Sequence, residues 1–230
     1  MSGIMQDMDG ILPVYKPVGI TSFDVIREFK RSVRPTFKLG HAGTLDPFAD
    51  GVMLLMLGKG TKQFDQLQKL PKTYLATALL GASSDTLDVT GTITQSNLPS
   101  TLNLSEITNA ASTFTGIIEQ AIPDYSAAKV GGVPRYTLAR QGATLPPKSK
   151  SVTIYSLEIV SVEKEECVLR VSCSSGTYIR QLSYDLFTSL QVESYLTTLT
   201  RESVGEYTIA RCCQIADFTG STWQDKVVLL

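Results

Sequence analysis

The chain is poor in several residue types, and each shortage excludes something. Its 230 residues include one histidine, one tryptophan and four cysteines, with no C-x-x-C pair. A single imidazole and unpaired thiols leave few ligands for a zinc site. Cys212 and Cys213 are neighbours, and Cys167 and Cys173 stand apart. They read as reduced, partly buried thiols, which points to the cytoplasm. Charge of one sign is also lacking: 21 basic against 22 acidic residues give a net charge of −1. A nucleic-acid partner would therefore have to meet Lys and Arg clustered on one face. No apolar run approaches the ~20 residues needed to cross a bilayer, so no membrane association is expected. Met1 to Gly10 is acidic and has no apolar h-region, so it does not read as a signal peptide. Gly58-Lys59-Gly60-Thr61 lacks P-loop spacing, so nucleoside triphosphate binding is not expected.

What is present is an ordinary globular composition, 43% hydrophobic and 19% charged. The length suits one large domain, or one with a small appendage. The expected division is an N-terminal tail over 1–10, a catalytic domain over 11–210 and a short C-terminal tail over 211–230.

Ile11 to Tyr15 reads as a short strand. Thr21 and Ser22 offer cap hydroxyls for a helix running to about Val33. In that helix Phe23, Ile26 and Phe29 make an apolar face. Arg27, Lys30, Arg31 and Arg34 make a basic one that, with Lys38, could meet phosphates. Val52 to Leu57 is a buried strand, Lys62 to Leu70 a helix and Lys72 to Gly81 a strand. The polar stretch Ser83 to Gly91 reads as an exposed loop in which Asp85 and Asp88 are solvated. A helix with a Ser105 cap is predicted over 105–114. Short strands follow at Ile118–Ile122 and Ser126–Val130, then a helix over Pro134–Gln141 with proline at its start. Ser151–Val162 and Cys167–Cys173 alternate as a hairpin, a helix covers about Thr177–Leu190, and Tyr195–Leu199 and Tyr207–Ala210 close the series. Several turns are too short for parallel crossovers, so the fold class is α+β with a largely antiparallel or mixed sheet.

The densest polar stretch is Gly40-His41-Ala42-Gly43-Thr44-Leu45-Asp46-Pro47-Phe48-Ala49-Asp50-Gly51. It holds the one histidine and two carboxylates directly ahead of an apolar strand, a common way to hold a reactive side chain rigidly. Asp46 is the first candidate for the chemistry. The same Asp-Pro and glycine-rich dipeptides also make plain turns.

Six blocks then recur in order: Lys16-Pro17-x-Gly19-x-Thr21-Ser22; Gly40-His41-x-Gly43-x-Leu45-Asp46-Pro47-x-Ala49-x-Gly51; Lys72-x-Tyr74; Tyr125-Ser126-Ala127-x-Lys129; Gly176-Thr177-Tyr178-Ile179-Arg180; and Leu199-x-Arg201. This arrangement resembles the TruB family of tRNA pseudouridine synthases, from about Gly10 to about Tyr207. The resemblance implies a pseudouridine-synthase-like mixed sheet flanked by helices, with the active-site cleft across the sheet. It implies isomerisation of a uridine to pseudouridine, at position 55 in the T arm of tRNA, with no metal or organic cofactor. The family's catalytic aspartate falls on Asp46, as nucleophile or as general base beside the sugar.

The resemblance also makes Arg180 the arginine that pairs with and orients this carboxylate. Tyr74 stacks on the target base, Tyr178 packs beside the pocket and Leu199 walls it. His41 binds RNA while the target base is extruded, and Lys16 and Lys129 contact the pocket or phosphates. Asp50 stays a turn carboxylate. Two departures stand out. The residues after Tyr207 are too few for the PUA-type module that family members usually carry, and Thr200 stands where a basic residue is expected. A monomer without an obligatory protein partner is expected. The reading from another class is an RNA-binding or tRNA-folding protein with secondary or lost isomerase activity; the intact Asp46, Tyr74, Tyr178 and Arg180 argue against loss. A guide-RNA-dependent synthase would need extensions and a PUA module, and a glycoside hydrolase a second carboxylate across the bond.

Overall fold

In the computed structural model, residues 8–97 and 103–230 are described; residues 1–7 of the expected N-terminal tail lie outside them. In chain order the elements are β1 (Gly10–Lys16), α1 (Ser22–Val33), β2 (Leu39–Ala42), β3 (Asp50–Leu57), α2 (Phe64–Lys69), β4 (Lys72–Leu80), β5 (Ala82–Ser84), β6 (Ile93–Gln95) and α3 (Leu104–Thr113). There follow β7 (Gly116–Ala121), β8 (Lys129–Val130), β9 (Val133–Pro134), α4 (Arg135–Arg140), β10 (Ser149–Glu163), β11 (Glu166–Cys173), α5 (Ile179–Ser189), β12 (Ser194–Val204), β13 (Tyr207–Thr208) and β14 (Val228–Leu229). The chain divides into two compact units, one of residues 1–73 with 200–230 and one of residues 74–199. Both boundaries fall inside strands, β4 and β12, where a single domain over 11–210 is expected.

The first unit is built on β3. It pairs antiparallel with β1 from Gly10↔Leu57 to Lys16↔Gly51, and with β2 from Leu39↔Leu57 to Ala42↔Leu54. It also pairs parallel with β12 at Thr200↔Asp50 and Arg201↔Gly51. The unbroken apolar run of β3 has a direct cause. Met53, Leu55 and Leu57 face one buried cluster with Leu12, Val14, Val25 and Phe29, while Val52, Leu54 and Met56 face another with Ile11, Leu67 and Tyr207. α1 starts at a capping box, in which the Thr21 side chain accepts from the Asp24 amide and the Asp24 carboxylate accepts from the Thr21 amide. Its face differs from expectation: Val25, Ile26 and Phe29 are buried, whereas Phe23 is exposed under the Arg27 guanidinium.

Residues 211–230 are not a loose tail. Cys213, Phe218 and Trp223 are buried in the α1–β3 cluster, and Phe29 meets both rings edge-on, at 5.0 Å from Phe218 and 4.9 Å from Trp223. β14 extends the edge of β1 at Gly10↔Leu229.

In the second unit the strand order is β12-β4-β11-β10-β7. β10 and β11 form the expected hairpin with two register shifts, and β7 pairs antiparallel with β10. α3 and α5 pack on β10 and β7 respectively. The alternation of β4 turns Tyr74, Ala76, Ala78 and Leu80 to the buried side. α3 is capped by Asn103, not Ser105, through a capping box with Glu106. The predicted strand over 126–130 shrinks to the two residues of β8, paired with β9 across the turn Gly131-Gly132. The fold class is α+β with a mostly antiparallel sheet, as expected. Among the described residues no helix is long and apolar enough to cross a membrane.

Candidate active site

The loop from Gly43 to Ala49 joins β2 to β3, and its backbone is tied down on several sides within the first unit. The Ser22 hydroxyl, at the start of α1, accepts from the Leu45 amide at 2.9 Å and donates to the Leu45 carbonyl at 3.2 Å. The Pro47 carbonyl accepts from the Gly19 amide at 2.8 Å, and the Asp46 carbonyl from the Ala49 amide at 3.1 Å. Leu45, Phe48 and Ala49 are buried and pin the loop from below. Asp46 is half-buried between them, with exposed Pro47 beside it.

Arg201, 1% exposed, grips the base of the loop. Its guanidinium donates to the carbonyls of Val52 at 2.6 Å, Gly43 at 3.0 Å and Thr44 at 3.4 Å. The closeness of β12 to β3 depends on Gly51, whose φ is +110° and whose absent Cβ would lie 2.3 Å from the Arg201 carbonyl oxygen. Arg201 belongs to the last sequence block, yet the sequence reading gave it no role. Its place in the block Leu199-x-Arg201 was the available signal.

Lys16 is fully buried, and its ammonium donates to the Pro17 and Ile20 carbonyls at 2.9 Å each. Burial pulls its pKa down to about 8, against the attraction of Asp50 and Asp46. The expectation of a direct phosphate contact does not fit this burial: Lys16 braces the segment that feeds α1 and the loop. Asp50, at the start of β3, accepts from the Tyr15 hydroxyl at 2.5 Å, and this bond, with burial, pushes Tyr15 up to about 12. Asp50 is thus anchored through one oxygen at the start of a strand, where a turn carboxylate is expected.

His41 lies in β2 and is half-buried. Its Nδ1 is buried and has no hydrogen-bond partner, and burial, then the charge of Arg201, lowers its pKa. It lines a cavity of about 580 Å3 with Lys30, Phe37, Lys38, Met56 and Phe64. The basic face of α1 is partly self-neutralised, since Arg27 pairs with Asp24 and Arg31 with Glu28, but Lys30 and Lys38 reach this cavity.

The second unit holds the other candidates. Tyr74 and Leu199 are buried at 8% and 5% exposure. Lys129 is exposed on the β8–β9 hairpin. Tyr178 is the N-cap of α5, not part of it, so Arg180 lies in the first helical turn. Arg180 is 4% exposed and donates to the Thr86 carbonyl at 2.7 Å and the Tyr125 carbonyl at 3.0 Å. It also pairs with Asp88 at 3.3 Å. Asp88 departs from the solvated loop expected of it. Asp88 is buried, and its carboxylate also accepts from the Thr86 and Thr90 hydroxyls and the Thr90 amide. The partner that makes burial tolerable lies 92 positions along the chain, beyond any local pattern.

The chain is similar to known proteins over most of its length. The family model described as TruB family pseudouridylate synthase (N terminal domain) matches residues 30–179. The tRNA pseudouridine synthase B of Clostridium perfringens (strain 13 / Type A) is 38% identical over 222 residues, covering 96% of this chain and 75% of that protein. That of Clostridium novyi (strain NT) is 40% identical over 224 residues, covering 96% and 76%. Among solved structures, a chain in the crystal structure of a Cbf5-Nop10-Gar1 complex superposes with a TM-score of 0.75 at 23% identity, covering 98% of this chain and 61% of that one. At that identity the likeness is one of fold, and this chain spans about three-fifths of the crystallised one.

Proposed function

Because this chain belongs to the TruB family of pseudouridylate synthases and isomerises uridine to pseudouridine in tRNA, we propose that Asp46 carries out the chemistry, on the uridine at position 55 of the T arm. The observation that carries this reading is the loop itself. Its carbonyls and amides are bound by Ser22, Arg201 and Gly19, so Asp46 is carried on a backbone that is held still. The other carboxylate of the loop, Asp50, is held by Tyr15.

The reaction breaks the N1–C1′ bond, turns the base and joins C5 to C1′. The proton lost from C5 is balanced by one gained at N1, so no oxidant, reductant or cofactor is required. Asp46 serves as nucleophile at the sugar or as general base beside it. We assign Tyr74 to stacking on the base, Leu199 to the apolar wall, Tyr178 to packing beside the pocket and Arg180 to orienting the catalytic carboxylate. His41, half-buried in β2 and lining a cavity with Lys30 and Lys38, is suited to contact RNA, and Lys129 to a phosphate. Lys16 acts through the loop it braces. The enzyme works in the cytoplasm as a monomer without an obligatory protein partner.

The test is incubation with unmodified tRNA transcript and mapping of pseudouridine, alongside Asp46→Asn and a transcript with cytidine at position 55. Wild type is expected to form product at that uridine alone. Asp46→Asn should lose more than about a thousandfold in rate while still binding tRNA. Activity surviving in Asp46→Asn would refute the assignment, and product at another uridine would refute the position.

A further inference from the structure

We propose that Gln120 is a positioning residue for this reaction, a buried clip that sets where α5 begins and thereby where Tyr178 and Arg180 point; this rests on the assignment of those two residues to the site. Gln120 lies in β7 and is 0% exposed. Its carboxamide closes a reciprocal pair with the backbone of Tyr178: Nε2 donates to the Tyr178 carbonyl at 3.0 Å, and Oε1 accepts from the Tyr178 amide at 2.8 Å. A buried glutamine with both ends of its amide on one residue 58 positions away fixes that peptide in two directions.

The choice of Tyr178 matters because it is the N-cap of α5 and has no side-chain cap of its own. Its carbonyl also accepts from the Leu182 amide at 3.0 Å. The same oxygen therefore receives the first helical bond and the Gln120 bond. The first turn, with Arg180 in it, is oriented by a strand rather than by a capping hydroxyl.

The neighbour of Gln120 across the sheet completes the device. Lys150 in β10 pairs directly with Gln120. Its ammonium lies 4.3 Å from the centre of the Tyr178 ring and donates to the Gly176 carbonyl. Gly176 has φ +81°, and a Cβ there would approach the Lys150 Nζ to 2.8 Å. The backbone of Tyr178 is thus held by Gln120 and its ring by Lys150. Upstream, Ser174 is fixed to Thr153 by bonds of 2.8 and 2.9 Å.

The experiment is single-turnover pseudouridine formation on tRNA transcript with Gln120→Met, which keeps the volume and removes both bonds. Val152→Ala, a buried substitution in β10 away from the clip, is the control for stability loss alone. Gln120→Met is expected to slow the step about tenfold or more with the tRNA Kd within about twofold of wild type, while Val152→Ala leaves the rate unchanged. Gln120→Glu retains an acceptor for the Tyr178 amide and should fall between wild type and Gln120→Met; it carries the test if Gln120→Met does not fold. A rate within about twofold of wild type in the folded variants, or a loss that Val152→Ala matches at equal stability, overturns the proposal. If Tyr178→Ala and Arg180→Lys also leave the rate intact, the site assignment itself has failed; if they impair it and the Gln120 variants do not, this inference alone has failed.

Discussion

The Asp46 loop and the start of α5 are both organised by buried polar groups, but in opposite senses. In the loop, side chains from other segments grip backbone: Arg201 holds three carbonyls and Ser22 holds both polar atoms of Leu45. The carboxylate assigned to the chemistry is carried by that backbone. At α5 the side chain with an assigned role is itself gripped, since Arg180 donates to two carbonyls and pairs with Asp88. A short aspartate has few rotamers, so fixing its backbone nearly fixes its oxygens. A long arginine does not inherit its backbone's order, and its head must be bound directly.

The largest effect is expected at Arg201, whose one guanidinium donates to three carbonyls. Arg201→Met leaves three carbonyls without their donor beneath a buried loop. The loss in folding stability should be about 4 kcal/mol or more, read as the shift in urea midpoint at constant m, with activity falling in step with the folded fraction or faster. Arg201→Lys should recover little, because an ammonium cannot span the Val52, Gly43 and Thr44 carbonyls together. Full rescue by lysine would mean that the loop needs charge and not the fork.

Asp88→Asn strikes the other region and should cost less stability, about 2 to 3 kcal/mol, because the amide can still accept from Thr90 and Thr86. Its signature should be kinetic. With the carboxylate gone, Arg180 retains the Thr86 and Tyr125 carbonyls but loses the charge of Asp88, and the single-turnover rate should drop about tenfold or more while tRNA binding holds. Equal losses in stability and rate in the two variants would erase the distinction between a held backbone and a held head.

Much of the first region was legible beforehand, for physical reasons. The run from Val52 to Leu57 reads as a buried strand because both its faces are covered, and Thr21 and Ser22 read as caps because their hydroxyls stand just ahead of a helical apolar face. The second region was legible only in part. Tyr178 and Arg180 stand in a recognisable block, but Asp88 sits in a stretch whose serines, threonines and glycine mimic a solvated loop. Only the distant Arg180 reverses that reading. The last 20 residues show a similar failure. Cys213 is a core residue at an isolated bridge to Val14, Phe218 in a 3-10 turn and Trp223 in the turn that follows, segments too short for any periodicity to announce them. Lys16 was misjudged because a lysine beside proline and glycine looks exposed until its carbonyl partners are seen.

Lys16 supplies the sharpest statement about the loop side. Its ammonium is buried with two carbonyls, and burial lowers its pKa from 10.5 to about 8. In the unfolded chain the amine keeps its proton up to about pH 10.5, whereas in the folded chain it gives it up near 8. Between those values the unfolded state binds more protons, so this group's contribution to stability rises with pH, is complete above 10.5 and is lost as pH falls through 8. Other groups titrate in the same range: burial pushes the Cys167, Cys212 and Cys213 thiols up to about 12, which acts in the opposite direction above pH 9. The measurement must therefore be a difference. Wild-type stability minus that of Lys16→Met, taken from urea unfolding at matched pH, should climb by about 2 to 3 kcal/mol from pH 8 to 10.5 and be flat on either side, because the thiols cancel between the two chains. A difference that does not change with pH would mean that the ammonium reaches water, and Lys16 would return to the phosphate-contact role that its burial argues against.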